Sequence, residues 1–272
     1  MGLPEELVHA LRSAGCVYAE EEAALLLEAT AGSPDHLDRL LARRVGGEPL
    51  EQVLGWAAFN GLRVQVTPGI FVPRRRTEAL ARLAVELAAA APAPVVVDLC
   101  CGSGALALVV ARDVPDAEVH AADLDPAAVA CARLDLPADR VHEGDLCDAL
   151  PGRLRGQVDV LACNAPYVPS DEVALMPTEA RDHEHLLALD GGPDGVDLHR
   201  RVAAQATTWL APGGSLLLET SERQAPLSVA ACQAAGLVAR VHRDEEREAT
   251  VVEAARARTP SIGPRAASSG KM

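Results

Sequence analysis

Apolar residues in the first part of the chain recur at the spacing of an α-helix. They lie one turn apart in residues 7–11 and again in residues 25–27, as on the buried face of an amphipathic helix. Ser33, which is followed by proline, is typical of a helix start, and Gly46, which is followed by glycine, is typical of a helix end. We therefore predict a small all-helical domain over residues 1–48.

The pattern changes over residues 49–76, where short β-type runs are separated by glycine and proline. Val53-Leu54, residues 62–66 and residues 70–72 are such runs. Their lengths and breaks indicate a β-hairpin connector. Thr77 then stands where its hydroxyl would cap the next helix.

Apolar strands alternate with helices in the rest of the chain, from residue 77 to residue 255. The run 95–99 is continuously apolar apart from one aspartate, as expected when both faces of a sheet are covered. Alternation of this kind indicates an α/β fold with a doubly wound, mostly parallel sheet. Further strands are expected near 118–122, 141–143, 158–163, 214–219, 237–242 and 249–253. We expect a flexible tail over residues 256–272, which are rich in arginine, alanine and serine.

The composition excludes some classes of function. The net charge is −14, so the chain is a poor general binder of nucleic acid, whose phosphates supply most non-specific affinity. The cysteines show no C-x-x-C spacing, which argues against a zinc site and for reduced thiols. No apolar run reaches the about 18 residues of a membrane span, and the acidic start is unlike a targeting peptide. We expect a cytoplasmic protein with protein or small-molecule partners, no membrane and no stable nucleic-acid complex.

A glycine-containing turn joins the first strand of the predicted sheet to its helix. After Asp98, the residues Gly102 and Gly104 allow a ligand to approach the backbone closely, and the helix start that follows favours a carboxylate. The third glycine of the dinucleotide fingerprint is absent. We therefore expect a nucleotide-like cofactor without a pyrophosphate, held by Asp98, Cys100, Gly102 and Gly104, although a plain turn is the alternative.

Acidic residues follow the next two strands. Asp123 lies about twenty residues beyond the glycines, where an acid can hold both hydroxyls of a ribose. Its alternative role is a helix cap, for which Asp125 is better placed. Asp145 can accept the amine of adenine, and its alternative role is a turn acid. Three such features at successive strand ends predict an adenosine site at the carboxyl edge of the sheet, with Leu124 and Leu146 beside the acids.

The fourth strand of the predicted sheet runs into Asn164-Ala165-Pro166-Tyr167. An amide nitrogen is a poor nucleophile because its lone pair is delocalised, and an enzyme can help by accepting both N–H protons. The side-chain oxygen of Asn164 and the backbone carbonyl of Ala165 supply two acceptors, which is catalysis mainly by positioning. Pro166 stiffens the turn, and Tyr167 offers a flat face to a planar amide or base. An ordinary Asn–Pro turn is the alternative.

This ordered set of motifs resembles that of HemK/PrmC-type protein-(glutamine-N5) methyltransferases, over roughly residues 1–254. The further motifs that carry the resemblance are Gly47-Glu48-Pro49-Leu50, Val72-Pro73-Arg74, Thr77-Glu78, Leu189-Asp190-Gly191-Gly192 and Glu219. The resemblance implies a seven-stranded class I methyltransferase sheet and S-adenosyl-L-methionine as the cofactor. It also implies that the glutamine of the Gly-Gly-Gln loop in a peptide chain release factor is the methyl acceptor.

The resemblance further implies roles for individual parts of the chain. The helical domain is expected to recognise the substrate, and Asn164, Tyr167, Arg74 and Thr77 are expected to contact it. The catalytic residues are expected to be Asn164, Ala165, Pro166 and Tyr167, with Asn164 also beside the cofactor. We expect a monomer.

The chain departs from the family pattern at two places. Ala165 stands where the family usually has a second proline, whose fixed φ adds rigidity. Arg75 and Arg76 stand where the family usually has proline and an acid. The acceptor therefore stays open: a different protein target, an adenine N6 or guanine N2 amine in nucleic acid, or a non-catalytic cofactor-binding role are the alternatives.

Three other features have mainly structural interpretations. His183 and His185 have a metal-like spacing but fall in a surface stretch, so we expect no metal. The three consecutive arginines that begin at Arg74 fit a solvated face or an anion contact. Glu219 ends a strand and is expected to face the substrate cleft, without an assigned role.

Overall fold

The computed structural model describes residues 4–257. Its helices are α1 (Glu5–Ser13), α2 (Ala19–Thr30), α3 (Pro34–Val45), α4 (Leu50–Leu54), α5 (Thr77–Ala89), α6 (Ala105–Asp113), α7 (Pro126–Ala132), α8 (Thr178–His183), α9 (Asp197–Trp209) and α10 (Ala225–Ala234). Its strands are β1 (Trp56–Phe59), β2 (Leu62–Gln65), β3 (Val95–Leu99), β4 (Glu118–Asp123), β5 (Val141–Glu143), β6 (Val158–Cys163), β7 (Leu210–Thr220), β8 (Val238–Asp244) and β9 (Ala249–Ala255).

The first four helices enclose a core of their own. Leu11 and Leu26 are fully buried in it, and Val53 of α4 packs against the same cluster. Each fully buried leucine contributes about 1.5–3 kcal/mol by leaving water. The all-helical prediction is therefore confirmed, but Val53-Leu54 is helical rather than β-type, because tertiary packing overrides the preference of a short apolar run. Ser33 precedes α3, yet its side chain makes no capping hydrogen bond.

The predicted hairpin is formed by β1 and β2, which pair antiparallel from Trp56↔Gln65 to Phe59↔Leu62. Residues 70–72 form no strand, although Ile70 and Val72 are buried. They pack with Ala57 and Val66. Their apolar character therefore reflects burial against the hairpin rather than pairing in a sheet.

The main sheet has seven strands in the order β5-β4-β3-β6-β7-β9-β8. The pairs from β5 across to β7 are parallel, and β9 is antiparallel to both β7 and β8. Because β3 is central and the chain winds outward from it in both directions, the carboxyl ends of β3, β4 and β6 meet at one edge. The predicted doubly wound, mostly parallel sheet is confirmed.

Strand β7 begins earlier than predicted, at Leu210 rather than near residue 214. Its pairing with β6 shifts register between Val158 and Val160. The Pro-Gly-Gly sequence at 212–214 falls in this irregularity. Such a bulge accommodates residues that otherwise mark a break.

Small aliphatic side chains fill both faces of the sheet. One cluster includes Leu161 and Leu216, and another includes Val96, Val109 and Leu80. Trp209 and Phe59 are large exceptions, at 2% and 1% exposure. The core is built mainly from alanine, valine and leucine, as expected for a chain in which 2% of the residues are aromatic.

Side chains of the helical region bind the segment that follows β6. Gln52 donates from Nε2 to the carbonyl oxygens of Ile70 (3.0 Å) and His183 (3.1 Å). Arg44 donates to the carboxylates of Glu22 and Glu179, both over 2.6 Å. The amino-terminal helices are thus attached to α8, which stands close to the site described next.

Candidate active site

A cleft of about 530 Å³ lies at the carboxyl edge of the sheet, within the size range of small-molecule and cofactor sites. The residues that follow β3, β4 and β6 line it, together with residues 69–77 and residues 185–192. Its walls therefore combine strand ends, which are rigid, with loops. The sequence motifs at these strand ends come together in one place.

Asp98 is buried near the end of β3, where the cofactor loop begins, at 3% exposure. Its Oδ2 atom accepts a hydrogen bond from the backbone N–H of Ala107 over 3.2 Å, which fixes the loop against α6. Burial raises the pKa of Asp98 to about 7, the N–H of Ala107 lowers it and the charge of Asp123 raises it further.

Cys100 and Gly102 line the cleft, and each has a positive φ, of 55°. A Cβ added to Gly102 would meet no atom within 4 Å, so the backbone here faces open cleft. Gly104, in contrast, does not line it. A Cβ at Gly104, whose φ is 77°, would lie 2.8 Å from a methyl group of Leu136. Gly104 therefore serves close packing of α6 against α7, and its predicted cofactor contact is not observed.

Asp123 ends β4 and holds two backbone groups. Its Oδ2 atom accepts from the N–H of Gly102, and its Oδ1 atom accepts from the N–H of Asp125, each over 2.9 Å. Burial raises the pKa of Asp123, and these N–H groups offset part of that rise. Asp125 caps α7 by accepting from the N–H of Ala127, as predicted, so Asp123 is not needed as a cap. Leu124 also lines the cleft.

Asp145 and Leu146 line the cleft beyond β5. The Asp145 carboxylate forms an ion pair with Arg201 of α9, and both side chains are about half exposed. Arg201 is a cleft residue that the sequence did not single out. It carries no motif, and only the packing of α9 beside the loop brings it there.

Asn164 follows β6 directly, and its neighbours Ala165 and Pro166 are buried. The Nδ2 atom of Asn164 donates to Oγ1 of Thr77 over 3.2 Å. Within residues 4–257 its Oδ1 atom has no hydrogen-bond donor in the protein. Thr77 is the first residue of α5, one position after Arg76, which occupies the N-cap position. The predicted capping role is therefore wrong, because the hydroxyl contacts Asn164 instead.

Tyr167 lines the cleft, next to the turn that Pro166 begins. Its backbone carbonyl accepts from Nε2 of Gln224 over 2.7 Å, and its hydroxyl donates to Glu219 over 3.4 Å. Burial raises the pKa of the Tyr167 hydroxyl, as does the charge of Glu219. The hydroxyl of Tyr167 is therefore protonated, and hydrogen bonds hold the residue at its backbone carbonyl and at its hydroxyl.

The three consecutive arginines have three different environments. Arg74 does not line the cleft, so its predicted substrate contact is not observed; its guanidinium donates to Oε1 of the fully buried Glu184 over 2.5 Å. Arg75 is 72% exposed. Arg76 lines the cleft and lies over the ring of Tyr167, with 5.6 Å between its Cζ atom and the ring centroid. Of the three, only Arg76 both lines the cleft and lies beside Tyr167.

Glu219 does not face the cleft, contrary to expectation. It ends the apolar run of β7 and is 1% exposed, behind the lining residues. The sequence showed only an acidic residue at the end of a buried strand. It could not show the partners of Glu219, because they come from distant segments.

The histidine loop has a structural explanation. His185 pairs through Nδ1 with the Asp125 carboxylate. Among residues 4–257, no group of three histidine, cysteine or acidic side chains is arranged to hold a metal. The same part of the chain contains no helix that is long and apolar enough to cross a membrane.

Comparison with known proteins identifies the family. A family model described as "Methyltransferase small domain" matches residues 61–180. The chain is 42% identical over 189 residues to a release factor glutamine methyltransferase of Streptomyces coelicolor, covering 68% of this chain and 67% of that protein. It is 37% identical over 243 residues to the protein of that name from Gloeobacter violaceus, covering 84% of each.

The chain belongs to the release factor glutamine methyltransferase family. Like its relatives, this methyltransferase is an enzyme that depends on S-adenosylmethionine. A further relative is named 4-amino-L-phenylalanine/4-methylamino-L-phenylalanine methyltransferase and comes from Streptomyces pristinaespiralis. It is 39% identical over 198 residues, covering 70% of this chain and 67% of that protein.

The residues of the cleft fit S-adenosylmethionine. The open backbone at Gly102 and the carboxylate of Asp123 match a nucleoside that carries an amino acid. The acidic lining also suits the positive charges of that cofactor, since Asp98 and Asp145 belong to the same cleft.

Proposed function

We propose that the methyltransferase transfers a methyl group from S-adenosylmethionine to the side-chain nitrogen N5 of a glutamine, in the Gly-Gly-Gln loop of a peptide chain release factor. One observation carries the proposal: Asn164, with a free side-chain oxygen, opens into the same cleft as the loop after β3. The two relatives named release factor glutamine methyltransferase supply the acceptor class.

The cofactor, when bound, supplies an electrophilic methyl group. On the protein side, Asp123 would accept the ribose hydroxyls, and Asp145 would accept the adenine amine when it is not engaged with Arg201. Oδ1 of Asn164 and the carbonyl oxygen of Ala165 accept the two N–H groups of the glutamine amide. The ring of Tyr167 bounds the amide plane. These contacts would hold the nitrogen toward the methyl group that the cofactor supplies, so the rate gain would come mainly from positioning.

The organisation of the chain supports different roles for its parts. We propose residues 1–48 as the acceptor-recognition domain, residues 49–76 as the connector and residues 77–255 as the methyltransferase domain. The separate core of the helices supports a distinct helical domain, and this core includes Val53 of α4, beyond residue 48. The ion pair of Arg44 with Glu179 of α8 supports a position of the recognition domain beside the segment that follows β6. The remainder of the tail lies outside the described residues.

The same proposal includes the oligomeric state, the cellular location and the partners of the enzyme. We propose that the methyltransferase acts as a monomer in the cytoplasm and forms no stable complex with nucleic acid. The net charge of −14 supports the last point.

The test is methylation of the full-length release factor. The purified methyltransferase is incubated with methyl-labelled S-adenosylmethionine and release factor, and the label is mapped by mass spectrometry. Label is expected on the glutamine of the Gly-Gly-Gln loop. A release factor with alanine at that position is the matched control and should stay unlabelled. Absence of label from the native release factor overturns the acceptor assignment.

A second acceptor class has support of its own. One relative is named for a methyltransferase that acts on 4-amino-L-phenylalanine, which carries a free carboxylate. Arg76 places a guanidinium at the acceptor end of the cleft, and guanidinium groups bind carboxylates well. The same assay with 4-amino-L-phenylalanine in place of release factor decides between the two, since a methylated amine would identify the small acceptor.

A further inference from the structure

Two cysteine side chains meet at the edge of the cleft. The S–H group of Cys163 donates to the Sγ atom of Cys100 over 3.8 Å. Cys163 ends β6 and is fully buried, whereas Cys100 is only partly buried and lines the cleft. One thiol of this pair is therefore open to a small molecule in the cleft, while its partner is shielded from water.

The backbone holds the two cysteines at a separation that a disulfide can span. Leu99 of β3 pairs with Cys163 of β6, so Cys100 follows directly after the strand neighbour of Cys163. Adjacent strands lie about 4.8 Å apart, and a disulfide joins Cα atoms that are about 4.4–6.8 Å apart. Bond formation brings the sulfur atoms from 3.8 Å to about 2.0 Å, which is a local change that leaves the sheet pairing in place.

The other cysteines near the cofactor loop are placed differently. Cys101 belongs to a different apolar cluster from Cys163, and its Sγ atom is directed to the carbonyl oxygen of Gly102. Cys100 packs against the cluster that contains both Cys163 and Cys147. Among residues 4–257, Cys100 and Cys163 are the only two thiols that share a hydrogen bond.

We propose that Cys100 and Cys163 form a reversible disulfide that inhibits the enzyme when a peroxide enters a cleft that holds no cofactor. Cys100 belongs to the cofactor loop, where its φ is 55°, and Cys163 directly precedes Asn164. The bond therefore ties the cofactor loop to the strand end that carries Asn164. The proposal requires the cofactor site only, and it does not depend on which acceptor is methylated.

The chemistry is a two-electron oxidation of two thiols by hydrogen peroxide. The sulfur of Cys100 attacks one peroxide oxygen, the O–O bond breaks and one water molecule leaves, which gives a sulfenic acid. The sulfur of Cys163 then attacks the sulfur of Cys100, so that the S–S bond forms and the S–O bond breaks. The departing hydroxide takes the proton of Cys163 and becomes a second water molecule. A dithiol reductant returns two electrons and two protons, and the two thiols form again.

Burial decides which cysteine takes which part. The hydrogen bond to Cys100 and the burial of the side chain raise the pKa of Cys163 well above its usual value, so Cys163 remains a thiol that peroxide does not attack. Oxidation by peroxide follows exposure, and Cys100 is the member of the pair that lines the cleft. Cys100 is therefore oxidised first, and Cys163 resolves the sulfenic acid.

The first measurement maps the bond. The enzyme, freed of cofactor, is treated with hydrogen peroxide, the remaining thiols are blocked with N-ethylmaleimide, and an unreduced tryptic digest is analysed by mass spectrometry. Trypsin places the two cysteines on peptides 83–112 and 156–181. We expect these peptides to be linked, and fragmentation to assign the link to Cys100. Saturating S-adenosylmethionine should slow the linkage about fivefold or more, because it covers Cys100.

The second measurement relates the bond to cofactor binding and turnover. In the oxidised enzyme we expect the Kd for S-adenosylmethionine to rise about fivefold or more. Turnover, on whichever acceptor the wild type methylates, should fall by a similar factor. Dithiothreitol should restore both quantities.

Two cysteine variants serve as a matched pair. Cys101→Ala removes the adjacent thiol and should still form the bond. Cys163→Ala should give no linked peptides. Its Cys100 sulfenic acid has no partner and is oxidised further to a sulfinic acid, which dithiothreitol does not reduce. A smaller fraction of its turnover should therefore return after reduction, and recovery equal to that of the wild type would contradict the proposal.

The remaining outcomes are equally decisive. A link between peptides 83–112 and 141–153 would identify Cys147 as the partner and overturn the pairing. Thiols that all stay reduced, or Cys100 oxidised to a sulfinic acid without a bond, would do the same. A bond that changes neither the Kd nor turnover would overturn the inhibitory role. If Cys163→Ala does not bind cofactor when reduced, the wild-type map and Cys101→Ala decide. Failure to methylate release factor would overturn the proposed acceptor and leave the peptide map and the Kd as tests of the disulfide.

Discussion

The carboxylate of Asp123 binds the backbone N–H of Gly102 over 2.9 Å. This contact joins the end of β4 to the loop after β3, so one acid both shapes the cofactor loop and stands where ribose hydroxyls are expected. Because Asp123 sits at a strand end rather than on a mobile loop, the two functions are held in a fixed geometry.

Replacing Asp123 with alanine should weaken cofactor binding. The change removes the anchor of Gly102 and the proposed ribose acceptor, and charged hydrogen bonds of this kind are worth about 1.5–3 kcal/mol. We expect the Kd for S-adenosylmethionine to rise roughly 10- to 100-fold in titration calorimetry. Asp139→Ala removes the same charge from a side chain that is 82% exposed, and it should bind normally. Equal affinities of the two variants would contradict the assignment.

Asn164→Ala tests the acceptor contact separately. The side-chain oxygen of Asn164 has no donor among residues 4–257, so its loss should affect the methyl acceptor more than the fold. We expect turnover to be abolished while the Kd for S-adenosylmethionine changes by less than about threefold. Retained turnover in a steady-state methylation assay would show that the catalytic role assigned to Asn164 is wrong.

Arg74 and Arg75 should differ in their effect on stability. Arg74 pairs with Glu184, whose side chain is fully buried and also accepts from the N–H of Val72 over 3.1 Å. Arg74→Ala leaves that charge without its counterion. Since Arg74 is 34% exposed and partly screened, we expect a loss of about 2 kcal/mol. Arg75→Ala, at an exposed site, should change the free energy of unfolding by less than about 0.5 kcal/mol.

Urea unfolding of both variants measures this difference. The cofactor is omitted, so that binding does not contribute to stability. A loss in Arg75→Ala as large as that in Arg74→Ala would mean that the buried pair has no special importance.

The sheet and the acidic cleft residues could be predicted from the sequence, because each depends on a local pattern. Continuous apolar runs such as β3 and β6 mark strands that are covered on both faces. The carboxyl ends of parallel strands lie at one edge of a sheet. The sequence therefore predicted that Asp98, Asp123 and Asn164 lie close together. The sequence alone also predicted the cap formed by Asp125.

The pairing of Arg76 with Glu219 could not be predicted from the sequence. The two residues are 143 positions apart, and neither lies in a motif that requires the other. The predicted capping role of Thr77 failed for a related reason. A hydroxyl before or at a helix start satisfies a capping rule, but a tertiary partner such as Asn164 can take that hydroxyl instead. Arg74 and Gly104 do not line the cleft, because sequence order does not tell which side of a loop faces it.

Asp98 should make stability depend on pH. Its pKa is about 7 in the folded protein and about 3.9 in an unfolded chain. Between these values the folded protein holds a proton that the unfolded chain has released. The contribution of Asp98 is therefore fully present below about pH 4 and is lost as the pH rises through about 7, at a slope of up to about 1.4 kcal/mol per pH unit.

Asp98→Asn removes this titration while it keeps the shape of the side chain and a carbonyl oxygen that can accept from the N–H of Ala107. We expect the difference in unfolding free energy, wild type minus variant, to decrease steadily between about pH 5 and pH 8 in urea titrations without cofactor. Asp123, whose pKa is also raised by burial, is present in both proteins and largely cancels from that difference. A difference that stays constant over this range would show that Asp98 is already ionised at about pH 5 in the folded protein, and that burial does not control its charge.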